Sequence, residues 1–115
     1  METYTVAKEY LRERIAVGYH STQDALGLFH EGKRELALHH LSRANSSFIT
    51  IETMTRINEE LTRLEFTDLI TSFETLYTEA LENDNDIQHI QIFFDVFKKD
   101  LKVVLDLIDS PIELD

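Results

Sequence analysis

Residues 87–108 admit little besides a helix, and one with more apolar surface than a small fold normally absorbs. Ile87, Ile90, Phe94, Phe97, Leu101, Val104, Leu105 and Ile108 recur at spacings of three and four, the stripe of an amphipathic helix. Ile92, Val96, Val103 and Leu107 lie outside that stripe, and Phe93 fills the gap between the two sets. At about 100° per residue, Gln88, Gln91, Asp95, Lys98, Lys99, Lys102, Asp106 and Asp109 crowd into roughly a third of the circumference. Only His89 and Asp100 interrupt the apolar remainder. A helix this widely apolar requires contacts on two sides.

The rest of the chain keeps the same rhythm. Three glycines and one proline in 115 residues are too few for the turns of a sheet protein, so helices are expected throughout. A first helix is expected over about 3–30, through Tyr4, Ala7, Leu11, Ile15, Gly18, Ala25 and Phe29. Its middle, Gly18-Tyr-His-Ser-Thr22, is small and polar, and Ser21 to Asp24 resembles a capping box. Continuity is the preferred reading, with Gly18 allowing close approach of another helix.

Glu31-Gly32-Lys33 is the clearest turn, with Gly32 as the C-terminal cap. A second helix over 33–64 follows the stripe Ala37, Leu41, Ala44, Phe48, Ile51, Met54, Ile57, Leu61 and Leu64. The stripe then jumps by about 200° to Phe66, Leu69, Ile70, Phe73, Leu76, Tyr77, Ala80 and Leu81. One straight helix cannot bury both stripes in one core, so a turn is expected near 65–67, capped by Thr62 or Thr67, and a third helix over 67–83. Asn83-Asp-Asn-Asp86 is the next turn, with Asp86 as N-cap of a fourth helix over 86–109. Ser110-Pro111 ends it and leaves a frayed acidic tail over 110–115.

Short connections between long helices imply antiparallel neighbours. The expected fold is therefore all-α, one domain over 1–115, an antiparallel up-down four-helix bundle with two long and two shorter helices. The unequal lengths would leave apolar surface uncovered at one end, so a homodimer or a bound helix of another protein is expected to cover it.

Charge and composition restrict function. The net charge is −11, and residues 65–115 carry 13 acids against 3 bases. Such a chain repels phosphate backbones, so nucleic acid and anionic membrane are not expected partners. The acidic half either keeps the protein in solution or meets a basic partner. There is no cysteine, which removes disulfides, thiol nucleophiles and thiolate metal sites. The N-terminus lacks the pattern of a signal peptide, and no apolar run approaches the roughly 20 residues of a bilayer span, so a cytoplasmic location is expected.

Catalytic patterns are sparse. His20 and Asp24 stand one turn apart, as do Glu35 and His39, and two such pairs on neighbouring helices could hold a metal. A dinuclear carboxylate site would want Glu-x-x-His on two helices, and none occurs; Asp86-x-x-His89 comes nearest. His39 and His40 point about 100° apart and do not share a face. No serine sits in a nucleophile elbow, and no Gly-rich phosphate loop is present. No catalytic residue and no cofactor are expected, and surface or half-buried histidines are the simpler account.

Two resemblances bear on function. Arg34-Glu-Leu-Ala-Leu-His39 has an Arg-x4-His spacing similar to the motif of a family of helical ribonucleases and toxin partners. Together with His20, Asp24 and Glu35 it defines the competing class, a metal-dependent or ribonuclease-like enzyme. Ala25-Leu-Gly-Leu-Phe-His-Glu-Gly-Lys33, Ala37 and Leu41-Ser-Arg-Ala44 resemble the helix–Gly–helix segment of flagellin-type export chaperones. Leu69 to Tyr77, Ala80 and the turn at 83–86 are similar to a later segment of that family, and the likeness spans most of 20–105. It implies a cytoplasmic helical bundle holding an amphipathic or disordered segment of a secreted partner. The expected function is thus a non-enzymatic, chaperone-like or adaptor-like interaction module. Ile92, Val96, Val103 and Leu107 form the stripe least needed by the internal core and hence the expected contact surface for a partner or a second copy.

Overall fold

The computed structural model describes residues 2–57, 64–82 and 87–108. Four helices follow one another: α1 (Glu2–His30), α2 (Arg34–Ile57), α3 (Leu64–Glu82) and α4 (Ile87–Leu107). No strand occurs among the described residues. Each helix packs against the next, and α4 closes the ring against α1. Contacts across the seams run in opposite directions along the chain. Gly18 meets Phe48 between α1 and α2, and Arg34 reaches Ala80 between α2 and α3. Ser72 meets Asp100 and Glu79 meets His89 between α3 and α4, while Arg12 meets Ile108 and His30 meets Gln91 between α1 and α4. All four neighbouring pairs are antiparallel, and the molecule is an up-down bundle 47 × 23 × 20 Å.

The core takes one stripe from each helix. Leu11, Ile15 and Tyr19 of α1 meet Leu41, Phe48 and Ile51 of α2, Leu69 and Phe73 of α3, and Phe97 and Leu101 of α4. At mid-height three phenylalanines, one each from α2, α3 and α4, form a triangle. Phe48 lies 4.5 Å from Phe73 and 5.5 Å from Phe97 between ring centroids, and Phe73 lies 5.8 Å from Phe97. At this level α1 contributes Gly18, and a Cβ there would fall 2.8 Å from the Phe48 ring. Close approach at Gly18 therefore makes room for the aromatic layer.

α1 is continuous through residues 18–22. Ser21 and Asp24 cap nothing, because they lie in mid-helix. Thr22 Oγ1 donates to the Gly18 carbonyl at 2.7 Å, which satisfies a buried hydroxyl without breaking the helix. After His30 the chain turns as expected. Gly32 has φ +77°, Lys33 N donates to the Leu28 carbonyl at 2.9 Å and Gly32 N to that of Phe29 at 3.1 Å. These are the two bonds of a Schellman cap, which requires the left-handed backbone that glycine adopts without strain.

The boundary between the second and third helices differs from expectation. α2 is described as far as Ile57, which is 80% exposed instead of joining the core stripe. α3 begins at Leu64, so the turn expected at 65–67 is helical, and Phe66 is already buried in the first turn. The jump in apolar phase marks a genuine change of helix, but the new helix starts upstream of the jump. Leu81 also leaves the expected stripe and is exposed at the end of α3. The helices as described run over 29, 24, 19 and 21 residues, and residues 58–63 between α2 and α3 lie outside the described residues. Leu61, Thr62, the turn at 83–86 with Asp86, and the tail with Pro111 lie outside the described residues.

Candidate functional site

The site is built by the two apolar sets of α4, which the bundle treats differently. Ile90, Phe94, Phe97, Leu101, Val104, Leu105 and Ile108 are buried against α1 and α3. Ile92, Val96 and Val103 stay 60, 47 and 46% exposed, while Leu107 and Phe93 are half-buried at the edge of the core. A helix in a four-membered ring has two neighbours, and Ile92, Val96 and Val103 point away from both. The exposed arc is consequently not the polar arc. Gln91 and Lys98, at one end of the polar arc, are half-covered beside α1, whereas Ile92, Val96 and Val103 are turned to solvent. The offset is about 50° on the helical wheel.

The residues that interrupt the apolar arc are tied to α3. Ser72 Oγ donates to Asp100 Oδ2, and His89 Nε2 lies 2.9 Å from Glu79 Oε2. Ser72 and Glu79 belong to a polar row on α3, Glu65, Asp68, Ser72, Thr75, Glu79 and Glu82, spaced alternately by three and four. This row borders the stripe on one side. On the other side Gln88, Asp95, Lys102 and Asp106 are exposed, and Lys99 stands within the strip itself. On the helical wheel Lys99 belongs to the polar arc, yet the spacing 92, 96, 99, 103 also places it on the apolar line.

The candidate metal residues are not brought together. His20 and Asp24 are exposed on α1, and Glu35 and His39 are exposed on α2. Among the described residues no group of three or more His, Cys, Asp or Glu side chains is placed to hold a metal ion. Arg34, Glu35 and His39 line one open surface concavity with Gly32, Lys33 and Leu36, but the Arg34 guanidinium is engaged away from the histidine. Arg34 turns to α3, where Nη1 donates to the Ala80 carbonyl at 2.8 Å and Nη2 to that of Leu81 at 3.1 Å. It caps the carbonyl end of α3, where a cation is favoured. His39 instead meets the edge of His40, with ring centroids 6.2 Å apart.

A groove of about 360 Å³ lies between the end of α2 and the start of α3, among Glu52, Arg56, Thr67, Ile70, Thr71 and Glu74. Its basic side chain is internally paired, Arg56 with Glu52 at 3.3 Å. Among the described residues no helix is long and apolar enough to cross a membrane. No protein-family model matches the chain, and neither does any curated protein or solved structure.

Proposed function

We propose that this protein is a non-enzymatic helical interaction module, adaptor-like or export-chaperone-like, that buries the apolar helix face of a partner or of its own copy. The observation that supports this reading is the exposure of Ile92, Val96 and Val103 in one line on α4 while the opposite face of the same helix is core. Scattered exposed apolar residues need no explanation, but an aligned set on one helix, even with Lys99 among them, suits helix-in-groove or helix-on-helix recognition. The resemblance of residues 20–105 to flagellin-type export chaperones points to the same class of function. The candidate contact residues are Ile92, Val96, Val103 and Leu107. Nucleic acid is not a partner on this reading, because the acidic charge repels phosphate.

The test is a double substitution, Val96→Glu with Val103→Glu. Both side chains are substantially exposed, so helix content by circular dichroism and the melting temperature are expected to stay close to those of the parent. Association, with itself or with a partner, is expected to disappear. Unfolding of the variant would show that the stripe is core and would overturn the reading.

A further inference from the structure

We infer that the occupant of the α4 face is a second copy of this chain, docked with its α4 antiparallel to the first. This inference rests on the reading of that face as an interaction surface. The spacing of the apolar strip is its own mirror image. Ile92 and Val96 precede the midpoint between Lys99 and Asp100 by the same steps with which Val103 and Leu107 follow it. A two-fold axis through that midpoint sets Ile92 over the partner's Leu107 and Val96 over the partner's Val103. A two-fold interface requires this self-complementarity, because one patch must serve both sides.

The charges favour a copy over a basic segment. Residues 65–115 hold only three bases, all on α4: Lys99 within the strip, Lys102 on its exposed flank, and Lys98 half-covered beside α1. They balance Asp95, Asp100 and Asp106 of the same segment. The flank of α4 that carries Asp95 and Lys102 is thus the less acidic border of the strip, the other border being the acidic row of α3. In the antiparallel register Asp95 of each copy falls beside the partner's Lys102, giving two equivalent ion pairs along one flank. A basic helix would meet Lys99 and Lys102 there instead. Lys99 sits beside the axis, where a polar residue in an apolar seam fixes register at a cost in affinity.

The strip is small. From residue 92 to 107 a helix rises about 23 Å, and a face about 10 Å wide gives only a few hundred Å² per copy. Stable specific pairs bury about 800 Å² per partner, so the dimer is weak and concentration-dependent.

Sedimentation of the full chain from about 1 μM to about 1 mM tests the inference. A monomer–dimer equilibrium with a dissociation constant between those limits is expected. Asp95→Lys and Lys102→Asp, both at exposed positions, are each expected to weaken the dimer about ten-fold by setting two like-charge pairs across the seam. The two together are expected to restore it, and Lys99→Leu to tighten it. A chain that stays monomeric at every concentration overturns the inference, and so does a double reversal that fails to restore pairing. If instead Lys102→Asp tightens binding of a basic amphipathic peptide by a monomeric chain, the occupant is a basic partner and the second copy is wrong. These failures are distinct from those of the interaction-module reading, which falls if the Val96→Glu, Val103→Glu protein unfolds or if it stays folded and still associates.

Discussion

Gly18 and Phe48 occupy the space of a single side chain. A Cβ at position 18 would lie 2.8 Å from Cε2 and Cζ of Phe48, whose ring is wedged between Phe73 and Phe97. The missing side chain on α1 is therefore part of the aromatic layer that joins the other three helices.

Gly18→Ala tests this directly. In an exposed helix the change would stabilise by about 1 kcal/mol through helix propensity. Here overpacking against a ring that cannot retreat costs about 1–3 kcal/mol and reverses the sign. The expected result is a net loss of about 1–2 kcal/mol in urea denaturation. Pairing the change with Phe48→Leu, which removes ring atoms at the clash, should cost less than the two single losses added together.

Gly32→Ala should act through the backbone alone. Gly32 has φ at +77°, and a Cβ on it would meet nothing within 4 Å, so the methyl group creates no clash. A side chain in the left-handed region costs about 1–2 kcal/mol, and thermal unfolding should register it as a fall in melting temperature of several degrees. Gly32→Asn should lose less, because asparagine tolerates this conformation.

The bond from Ser72 to Asp100 holds a carboxylate at the edge of an apolar arc. Ser72→Ala is expected to cost about 1–2 kcal/mol, as the half-buried acid loses a charged hydrogen bond. Asp100→Ala in the Ser72→Ala background should cost less than in the parent. A double-mutant cycle by chemical denaturation gives the coupling, and a coupling near zero would mean that the pair contributes nothing.

Arg34 joins the start of α2 to the end of α3 through two backbone carbonyls. Arg34→Gln removes the charge and the two-pronged geometry, and a loss of about 1–2 kcal/mol is expected. Arg34→Lys should recover part of it. Amide hydrogen exchange should speed up most at the last turn of α3, because that is where the carbonyls are released.

Much of this arrangement is legible from residue spacing. The stripes through Leu11, Leu41, Phe73 and Phe97 follow from the sequence without any knowledge of contacts, because side-chain periodicity on a helix is set by local backbone geometry. Other features are hidden. Tyr19 and Thr22 resemble parts of a polar interruption, yet both are buried, since α1 turns that face inward and Tyr19 meets Phe94 at 6.4 Å between ring centroids. Phe66 resembles the end of a turn, yet it opens α3 in the core. His89 and Asp100 resemble flaws in an apolar arc, and only the neighbouring helix supplies Glu79 and Ser72 as their partners.

Residue spacing alone sets the helices, their polarity and the presence of two apolar stripes on residues 87–108, because each of these depends on residues within a few turns of one another. It did not determine which stripe of α4 would be covered. That choice belongs to the tertiary structure, in which α4 has two neighbours, α1 and α3. Those two cover the line through Phe94, Phe97 and Leu101 and leave Ile92, Val96 and Val103 in solvent, since two neighbours on one side of a helix cannot enclose its whole circumference.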